Sequence, residues 1–349
     1  MLRPGQISVT TAVLHPRFAY CADNVPECQC RQLSTPVDGG LHFFATAGGV
    51  TVGERSGSRI RRMICALAGA LVVSACVTNI EDTGPVPPKI TVQTVPALAA
   101  RVPPDIAAAG EVVVGVNVPY QPNEYRDRHG AIVGFDIDLM DAVTAVLGIR
   151  ARYAESAFEK VIPAVQAGTY DIGMSSITDT REREQQVDFV TYFSAGVQWA
   201  QRTGDDIDPE NACGKRVAVQ ATTVEHIEEV PAKSEACVAA GKDPIIIDAF
   251  DEQSAVTNAL VLGQVDAMSA DSPVTAYAIR QTDGKIEAAG PVFDAAPYGW
   301  AVTKGSPLAP VLRDAVQYLM DSGQYRQITE YWVVQEGALR TSVINGARS

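Results

Sequence analysis

Short β-branched runs alternate with stretches of helical periodicity between about residues 110 and 332. The run "GEVVVGVN" at 110–117 is typical of a buried strand, and "FDIDLMDAVTAVLG" at 135–148 repeats apolar residues at helical spacing before a glycine. Strands that alternate with helices form parallel βαβ units, so the pattern predicts an α/β fold. Because the alternation resumes at about residue 214, we expect two similar lobes.

Composition and motifs exclude several function classes. The sequence contains no G-x-G-x-x-G and no G-x-x-x-x-G-K-[ST] phosphate loop, which argues against a nucleotide enzyme. The net charge is −13 at pH 7, which makes a nucleic acid partner unfavourable and means that an anionic ligand group needs a local cationic site. No His, Cys and Asp grouping has metal-site spacing, so we expect neither a metal nor a cofactor.

The region before Cys76 has the order of a bacterial lipoprotein signal. "RIRR" at 59–62 precedes an apolar run that ends in small residues directly before Cys76. This order predicts a signal peptide with a lipobox at 59–75, in which Cys76 is lipidated; a short buried strand or helix is the alternative. We therefore expect an exported protein that is lipid-anchored to the outer face of the cytoplasmic membrane.

The segments on either side of this signal show no clear periodicity. Residues 1–58 lie upstream of the predicted signal peptide, and we interpret them as a non-native or disordered N-terminal extension. Residues 76–108 are rich in Pro and Thr, which favours an extended, lipid-anchored tether before the folded body.

Two of the seven cysteines fall in the folded body. Cys21, Cys28 and Cys30 belong to the extension, Cys65 and Cys76 to the signal, and the remaining pair is Cys213 and Cys237. An even remainder in an exported domain favours one disulfide, with two free buried thiols as the alternative.

The stretch "SSITDTRERE" at 175–184 directly follows the predicted strand "YDIGM". Ligands of doubly wound α/β folds bind at the carboxyl ends of the strands. An Arg fork matches a carboxylate bidentately, and hydroxyls supply shorter-range donors. The alternative is that a threonine caps a helix with solvated charges. The candidate carboxylate-binding residues of this stretch are Ser175, Ser176, Thr178 and Arg183.

Three segments, "GFDIDLMDAVTAVLG", "FEKVIPAVQAGTYDIGMSSITDTRERE" and "VDFVTYF", occur in this order. With them the sequence resembles the extracytoplasmic solute-binding proteins of ABC transporters for polar amino acids, bacterial solute-binding protein family 3, over roughly residues 105–335. The resemblance implies a type II periplasmic binding protein fold, in which two α/β lobes are joined by two crossover segments near Ser194–Trp199 and Ala295–Tyr298. The implied boundaries are 109–193 and 295–335 for lobe 1, 194–294 for lobe 2 and 336–349 for a C-terminal tail.

The resemblance also implies roles for individual residues. Arg183 matches the residue that pairs with the ligand α-carboxylate, and Asp271 matches the acid that pairs with the α-ammonium. Asp271 followed by Ser and Pro is alternatively an ordinary helix N-cap. Ala221 occupies a position where family members usually have glycine. The hydroxyls implied to contact the carboxylate or the α-amino group are Ser176, Thr178, Thr222 and Thr223.

Three further positions match the walls of the family's ligand site. Tyr120 and Phe158 match side chains that sandwich the ligand, although Phe158 is alternatively a core residue. Asn117 stands where relatives that bind basic or amide side chains often have Asp. Its neutral side chain favours an uncharged or acidic ligand side chain unless Glu124 or Glu155 supplies the missing charge.

The implied function is that of a lipid-anchored substrate-binding protein of an ABC importer. The protein would be a monomer and would not be an enzyme. It would deliver a polar amino acid from the cleft to a permease and its ATPase. A cyclohexadienyl or arogenate dehydratase-like enzyme on the same fold is the alternative, and it requires a general acid placed over the substrate ring.

Overall fold

Eight strands form one continuous sheet in the computed structural model, which describes residues 90–347. The strands are β1 (Glu111–Val116), β2 (Tyr125–Arg126), β3 (Ile132–Val133), β4 (Arg150–Glu155), β5 (Ile172–Gly173), β6 (Val187–Arg202), β7 (Arg216–Gln220), β8 (Ile246–Phe250), β9 (Ala267–Asp271) and β10 (Ile286–Thr303). Their order across the sheet is β4-β1-β5-β10-β6-β9-β7-β8, and β2 pairs with β3 in a separate hairpin. Because β1 pairs in parallel with β4 and β5, and β7 with β8 and β9, the predicted α/β fold is confirmed.

Helices connect most of these strands, as the periodicity predicts. The last two helices are separated at Gly323, which has φ +82°, a left-handed conformation that glycine adopts without steric cost. A π-helical turn, Glu225–Glu229, precedes one helix, and 3₁₀ turns lie at Pro209–Asn211 and Gln335–Gly337. The α-helices are Pro96–Ala99, Pro104–Ala109, Phe135–Val146, Phe158–Gln166, Arg181–Glu184, Val230–Ala239, Gln253–Val261, Ser272–Gln281, Leu308–Ser322 and Gln324–Tyr331.

Strands β6 and β10 are shared by both halves of the body. They run side by side and antiparallel, from the pair Ile286 and Arg202 to the pair Thr303 and Val187. Their register shifts between residues 289 and 299, where the expected crossover segments lie. We call the part around β1, β4 and β5 lobe 1 and the part around β7, β8 and β9 lobe 2. The architecture is therefore the predicted pair of α/β lobes joined by two crossovers.

Each lobe has its own apolar core. In lobe 1 the helices Phe135–Val146 and Leu308–Ser322 pack on the sheet, and the rings of Tyr192 and Trp300 stack with centroids 4.7 Å apart. In lobe 2 smaller clusters form, one of them around Trp199. The predicted disulfide is present in lobe 2, where the Cα atoms of Cys213 and Cys237 lie 5.5 Å apart.

The segment before β1 differs from the expected tether. It was predicted as extended over 76–108, yet it contains two short helices, each of which begins with proline at its first position. Val102 and Ile106 are buried against the lobe 1 core, and the Val95 N–H donates to the Val146 carbonyl at 2.8 Å. The folded body therefore begins well before residue 109. The predicted extension, signal peptide and lipidated Cys76 lie outside the described residues.

The C-terminal tail, described as far as residue 347, lies along β6. The Ser342 hydroxyl donates to the Thr191 carbonyl at 2.6 Å, and the Asn345 side chain accepts from the Phe189 N–H at 2.9 Å. Among residues 90–347, no helix combines the length and apolar character that a membrane crossing requires.

Candidate functional site

The candidate site lies between the lobes, where four strands end. β1 leads to Tyr120, β5 leads to Ser175 and Ser176, β7 ends at Gln220, and β9 ends at Asp271. The carboxyl ends of parallel strands therefore meet at one cleft, as expected for open α/β sheets.

A small cavity occupies this cleft. Eight of the ten residues predicted to bind the ligand line the cavity, whereas Asn117 and Thr222 do not. Sequence reasoning missed Gln220, Val224 and Glu225. The full lining is Tyr120, Phe158, Ser175, Ser176, Thr178, Arg183, Gln220, Thr223, Val224, Glu225 and Asp271.

Arg183 crosses from lobe 1 towards lobe 2. Its Nη1 donates to the Thr178 carbonyl at 2.9 Å, and its Nη2 donates to the Thr222 carbonyl of lobe 2 at 3.1 Å. The guanidinium carbon lies 5.8 Å from the centre of the Phe158 ring. Within residues 90–347 these two bonds use two of the five N–H donors of the arginine side chain.

The alternative interpretation of this stretch, a capped helix, also holds locally. Thr180 is the N-cap of the short helix Arg181–Glu184, and its hydroxyl accepts from the Arg183 N–H at 3.3 Å. Arg181 is exposed, two residues before the cavity-lining Arg183. The cap therefore orients the helix so that only one of its two arginines reaches the cavity.

Ser175 and Ser176 form the polar floor of the cavity in lobe 1. Both are almost fully buried. Ser176 adopts φ +48°, a left-handed conformation that is uncommon for a residue other than glycine. Such backbone strain persists only where surrounding contacts enforce it. Here the Asp136 carboxylate accepts from both the N–H and the hydroxyl of Ser176, at 3.1 and 3.2 Å.

The loop after β7 closes the cavity from lobe 2. Its left-handed residue is Thr222, at φ +64°, and the Thr222 N–H donates to Nδ1 of His226 at 3.0 Å. The alanine at 221, where relatives usually have glycine, is therefore tolerated because the positive φ falls on the next residue. The Thr223 hydroxyl donates to the Gln220 carbonyl at 2.9 Å and lines the cavity.

Asp271 is buried at the end of β9. It is the N-cap residue of the helix Ser272–Gln281, as the alternative interpretation predicts, but its side chain makes no capping hydrogen bond to that helix. Instead its Oδ2 accepts from the Tyr120 hydroxyl of lobe 1 at 2.6 Å. Burial raises the pKa of Asp271 well above its ordinary range, and the nearby Glu225 carboxyl raises that pKa further.

Glu225 is the second acid of the cavity, and the sequence analysis did not single it out. It lies in the π-helical turn after the Thr222–Thr223 loop and is 1% exposed. Its Oε1 has no hydrogen-bond partner within residues 90–347. Burial raises the pKa of Glu225, whereas the positive charge of Arg183 lowers it.

Asn117 lies beside the cavity and joins the lobes. Its Oδ1 accepts from Nε2 of Gln220 at 2.9 Å, and its Nδ2 donates to the Ser156 carbonyl at 3.0 Å. Glu155 is exposed and pairs with Arg126. Glu124 is fully buried behind Ser175 and accepts from its hydroxyl at 2.6 Å. Neither glutamate lines the cavity.

The arrangement is suited to binding a small zwitterion. A guanidinium, two buried carboxyls and several hydroxyls line one cavity. The part of the chain that the structure describes contains no group of three or more His, Cys, Asp or Glu residues placed to hold a metal ion.

Comparisons with known proteins agree with this geometry. Residues 112–335 match the family model of bacterial extracellular solute-binding proteins, family 3. The chain is 41% identical over 292 residues to the arginine-binding protein ArgT of Corynebacterium glutamicum, covering 82% of this chain and 96% of that protein. It is 30% identical to the ABC transporter glutamine-binding protein GlnH of Bacillus subtilis, covering 60% of this chain and 76% of that protein.

A solved structure supports the same relationship. An ancestral arginine-binding protein bound to arginine aligns with a TM-score of 0.59 at 32% identity, covering 64% of this chain and 98% of that structure. The three similar proteins are all named for binding an amino acid.

Proposed function

Since this chain belongs to family 3 of the bacterial extracellular solute-binding proteins, we propose that it captures a cationic amino acid for an ABC importer. Arginine and lysine are the reference ligands of this proposal. Membership of the family makes it an amino acid-binding protein associated with ABC transport. The proposal adds the ligand's charge, the residues that bind it and the lipid anchor.

The charges of the cavity wall carry the proposal. The lining contains one cation, Arg183, and two buried acids, Glu225 and Asp271. An amino acid main chain presents one carboxylate and one ammonium, which match Arg183 and one of the acids. The other acid must then hold a proton or find a counter-charge, because an unpaired buried charge is strongly unfavourable. A second positive charge on the ligand side chain restores the balance.

In this proposal the main chain of the ligand is held from both lobes. Arg183 binds the α-carboxylate bidentately with help from Thr178, whereas the Thr223 hydroxyl beside them donates to the Gln220 carbonyl, and Asp271 takes the α-ammonium. Tyr120 and Phe158 flank the ligand, and Glu225 pairs with the cationic side chain. Closure of the two lobes around β6 and β10 buries these pairs and presents the occupied form to the permease and its ATPase.

This proposal departs from the expectation, based on Asn117 in the sequence, that the ligand side chain is uncharged or acidic. The neutral Asn117 removes an acid from lobe 1, which favoured an uncharged or acidic ligand. The Asn117 side chain instead forms hydrogen bonds with the Gln220 side chain and the Ser156 carbonyl. Glu225 of lobe 2 supplies a negative charge that the sequence argument did not consider.

The dehydratase alternative receives less support. Glu225 and Asp271 are buried acids with raised pKa values, so a proton donor is available in the cavity. However, the curated relatives described above are named as amino acid-binding proteins rather than enzymes. Incubation with prephenate or arogenate should therefore yield no aromatic product.

We also propose that Cys76 carries the lipid anchor. The family is extracellular, which agrees with export, and the order of charge, apolar run, small residues and cysteine at 59–76 supports lipidation. Cys76→Ala should release the protein from the membrane fraction or leave it unprocessed. A mature N-terminus near residue 1, found by mass spectrometry, would contradict this part of the proposal.

A thermal-shift screen of the common amino acids tests the ligand class. Arginine, lysine and ornithine should raise the melting temperature most, and neutral or acidic amino acids less. A thousandfold excess over the dissociation constant stabilises a protein by about 4 kcal/mol, which is readily measured. A larger shift with glutamate or aspartate than with arginine would contradict the proposal.

A further inference from the structure

Two acids lie directly behind the serines of the cavity floor. Glu124 and Asp136 are both 0% exposed. Glu124 follows Tyr120 by four residues in the loop after β1, and Asp136 is the second residue of the helix Phe135–Val146. Neither lines the cavity, yet each contacts a serine that does.

The two carboxyl groups receive unequal numbers of donors. Oδ2 of Asp136 accepts from the Ser176 N–H, the Ser176 hydroxyl and the Tyr192 hydroxyl, the last at 2.7 Å. Oε1 of Glu124 accepts from the Ser175 hydroxyl alone, at 2.6 Å. Hydrogen bonds to a carboxylate favour its charged form. Asp136 is therefore the better site for the negative charge, and Glu124 is the better site for a proton.

One oxygen of each carboxyl group remains. Within residues 90–347, Oε2 of Glu124 and Oδ1 of Asp136 receive no hydrogen bond. The two residues are neighbours, since the Asp136 N–H donates to the carbonyl of Asn123 at 2.9 Å, and the Asp136 carboxyl raises the pKa of Glu124. Two carboxylates in direct contact in a dry site repel strongly, whereas one proton between them satisfies both oxygens.

We propose that Glu124 and Asp136 share one proton, held by Glu124 and donated to Asp136, and that this pair positions Ser175 and Ser176 for the ligand. The groups around the pair agree with a retained proton. Asp271 of lobe 2 acts on Glu124 as a further negative charge. The other titratable groups that interact with the pair are neutral phenols, which cannot compensate a second negative charge. These phenols belong to Tyr120, Tyr153, Tyr192 and Tyr325. Burial raises the pKa of Glu124 well above its ordinary range and that of Asp136 to about 6.

The consequence for the cavity is a fixed direction of both hydroxyl groups. Ser175 donates its proton to Glu124 and Ser176 donates its proton to Asp136, so both oxygens offer lone pairs to the cavity. They can then accept from a ligand ammonium but cannot donate to its carboxylate. The same contacts hold the left-handed backbone of Ser176. Glu124 and Asp136 are positioning residues, and this assignment rests on the proposed function of the cavity.

Glu124→Ala and Glu124→Gln separate this role from that of an ionised ligand contact. Alanine leaves Ser175 and Asp136 without their partner, so calorimetry with L-arginine should show a loss of roughly 10- to 100-fold in affinity. Glutamine can accept from Ser175 and donate to Asp136 as the protonated acid does, so most of that affinity should return. Glu155→Gln, on the exposed glutamate of lobe 1, is the matched control and should bind like the parent protein.

Infrared spectroscopy supplies a readout that needs no ligand. Other buried acids with raised pKa values, Glu225, Glu229 and Asp271, can absorb in the same region, so the spectrum of Glu124→Gln is subtracted from that of the full-length parent protein at neutral pH. The difference should contain the carbonyl band of one buried protonated carboxylic acid. If Glu124→Gln loses as much affinity as Glu124→Ala, or if the difference spectrum lacks this band, the shared proton is wrong. If the parent protein binds no amino acid while the difference band is present, the proposed function fails and the proton-sharing pair stands.

Discussion

Lobe 1 presents a guanidinium and several hydroxyls to the cleft, whereas lobe 2 presents the carboxyls of Glu225 and Asp271. The lobe 1 wall is reinforced from behind, since Glu124 and Asp136 hold its serines and Thr180 caps the helix of Arg183. The lobe 2 wall lacks such support at Glu225, whose Oε1 has no partner within residues 90–347.

This difference indicates how the ligand is divided between the lobes. A positive wall and a negative wall fix the direction in which a zwitterion lies, because each end matches one lobe. Neither lobe alone satisfies both ends, so the closed form gains the full binding free energy only when the ligand bridges them. The excess of acid on lobe 2 then selects the ligand side chain.

The largest expected effect comes from removing the charged group of either wall. Both ligand charges are desolvated on closure, so Arg183→Ala or Asp271→Ala leaves one of them unpaired. Such truncations cost about 2–5 kcal/mol, or roughly 30- to 5000-fold in affinity. Calorimetry with L-arginine measures this loss, and circular dichroism checks that the variants remain folded.

The matched control is Arg181→Ala, because Arg181 lies in the same short helix but is exposed. Its affinity should stay within about twofold of the parent protein, as for ordinary surface substitutions. If Arg181→Ala loses binding and Arg183→Ala keeps it, the assignment of the two walls is wrong.

The disulfide distinguishes the two lobes in stability rather than in binding. Cys213 and Cys237 close a loop of 24 residues in lobe 2. Replacing both by alanine should lower the free energy of unfolding by about 3.5 kcal/mol on the chain-entropy account. Trp199 reports on lobe 2 and Trp300 on lobe 1, so single-tryptophan variants in a urea titration should show that lobe 2 unfolds at lower urea. Equal shifts for both tryptophans would contradict a local role.

The pH dependence of protein stability tests Glu229, a buried acid of lobe 2 that does not line the cavity. Burial raises the pKa of Glu229 from 4.5 to about 7, although Ser269 and Trp199 donate to it. The folded state therefore holds a proton that the unfolded state releases, so stability should increase as pH falls from above 7 towards 4.5. Glu229→Gln should stabilise the protein at pH 8 by about 1–2 kcal/mol and reduce this slope in urea unfolding. An unchanged slope would show that Glu229 is ionised throughout.

The smallest expected effect concerns the hydrogen bond between Asn117 and Gln220. It joins the lobes beside the cavity. Gln220 lines the cavity and Asn117 does not, so we expect the bond between them to favour closure of the lobes. Asn117→Ala and Gln220→Ala should be coupled by about 1 kcal/mol in a double-mutant cycle for L-arginine affinity. Additive losses would mean that the two side chains act independently.

The sequence predicted the fold well because periodicity and strand order are local signals. The runs at 110–117 and 135–148 form β1 and the helix Phe135–Val146. The two helices before β1 were missed because prolines that begin a helix resemble those of an extended linker. The full length of β6 and β10 was missed because their continuity depends on pairing between distant segments.

The residues of the site were likewise predicted only in part. The resemblance led to the eight predicted residues that line the cavity, since these follow strand ends with a recognisable order. Glu225 was not singled out, because its position in a π-helical turn has no signal in a single sequence. Asn117 was assigned to the ligand, and its bond to Gln220 depends on the approach of the second lobe.

The comparison of the two walls predicts that Glu225 determines ligand charge, and Glu225→Gln tests this most directly. The substitution keeps the size of the side chain and removes its charge. Calorimetry should show that the affinity for L-arginine falls by about 10- to 100-fold, as expected for a lost hydrogen bond to a charged group. The affinity for L-glutamine, which has the same main chain and a neutral side chain, should stay within about threefold. An equal loss for both ligands, or no loss for arginine, would contradict the account.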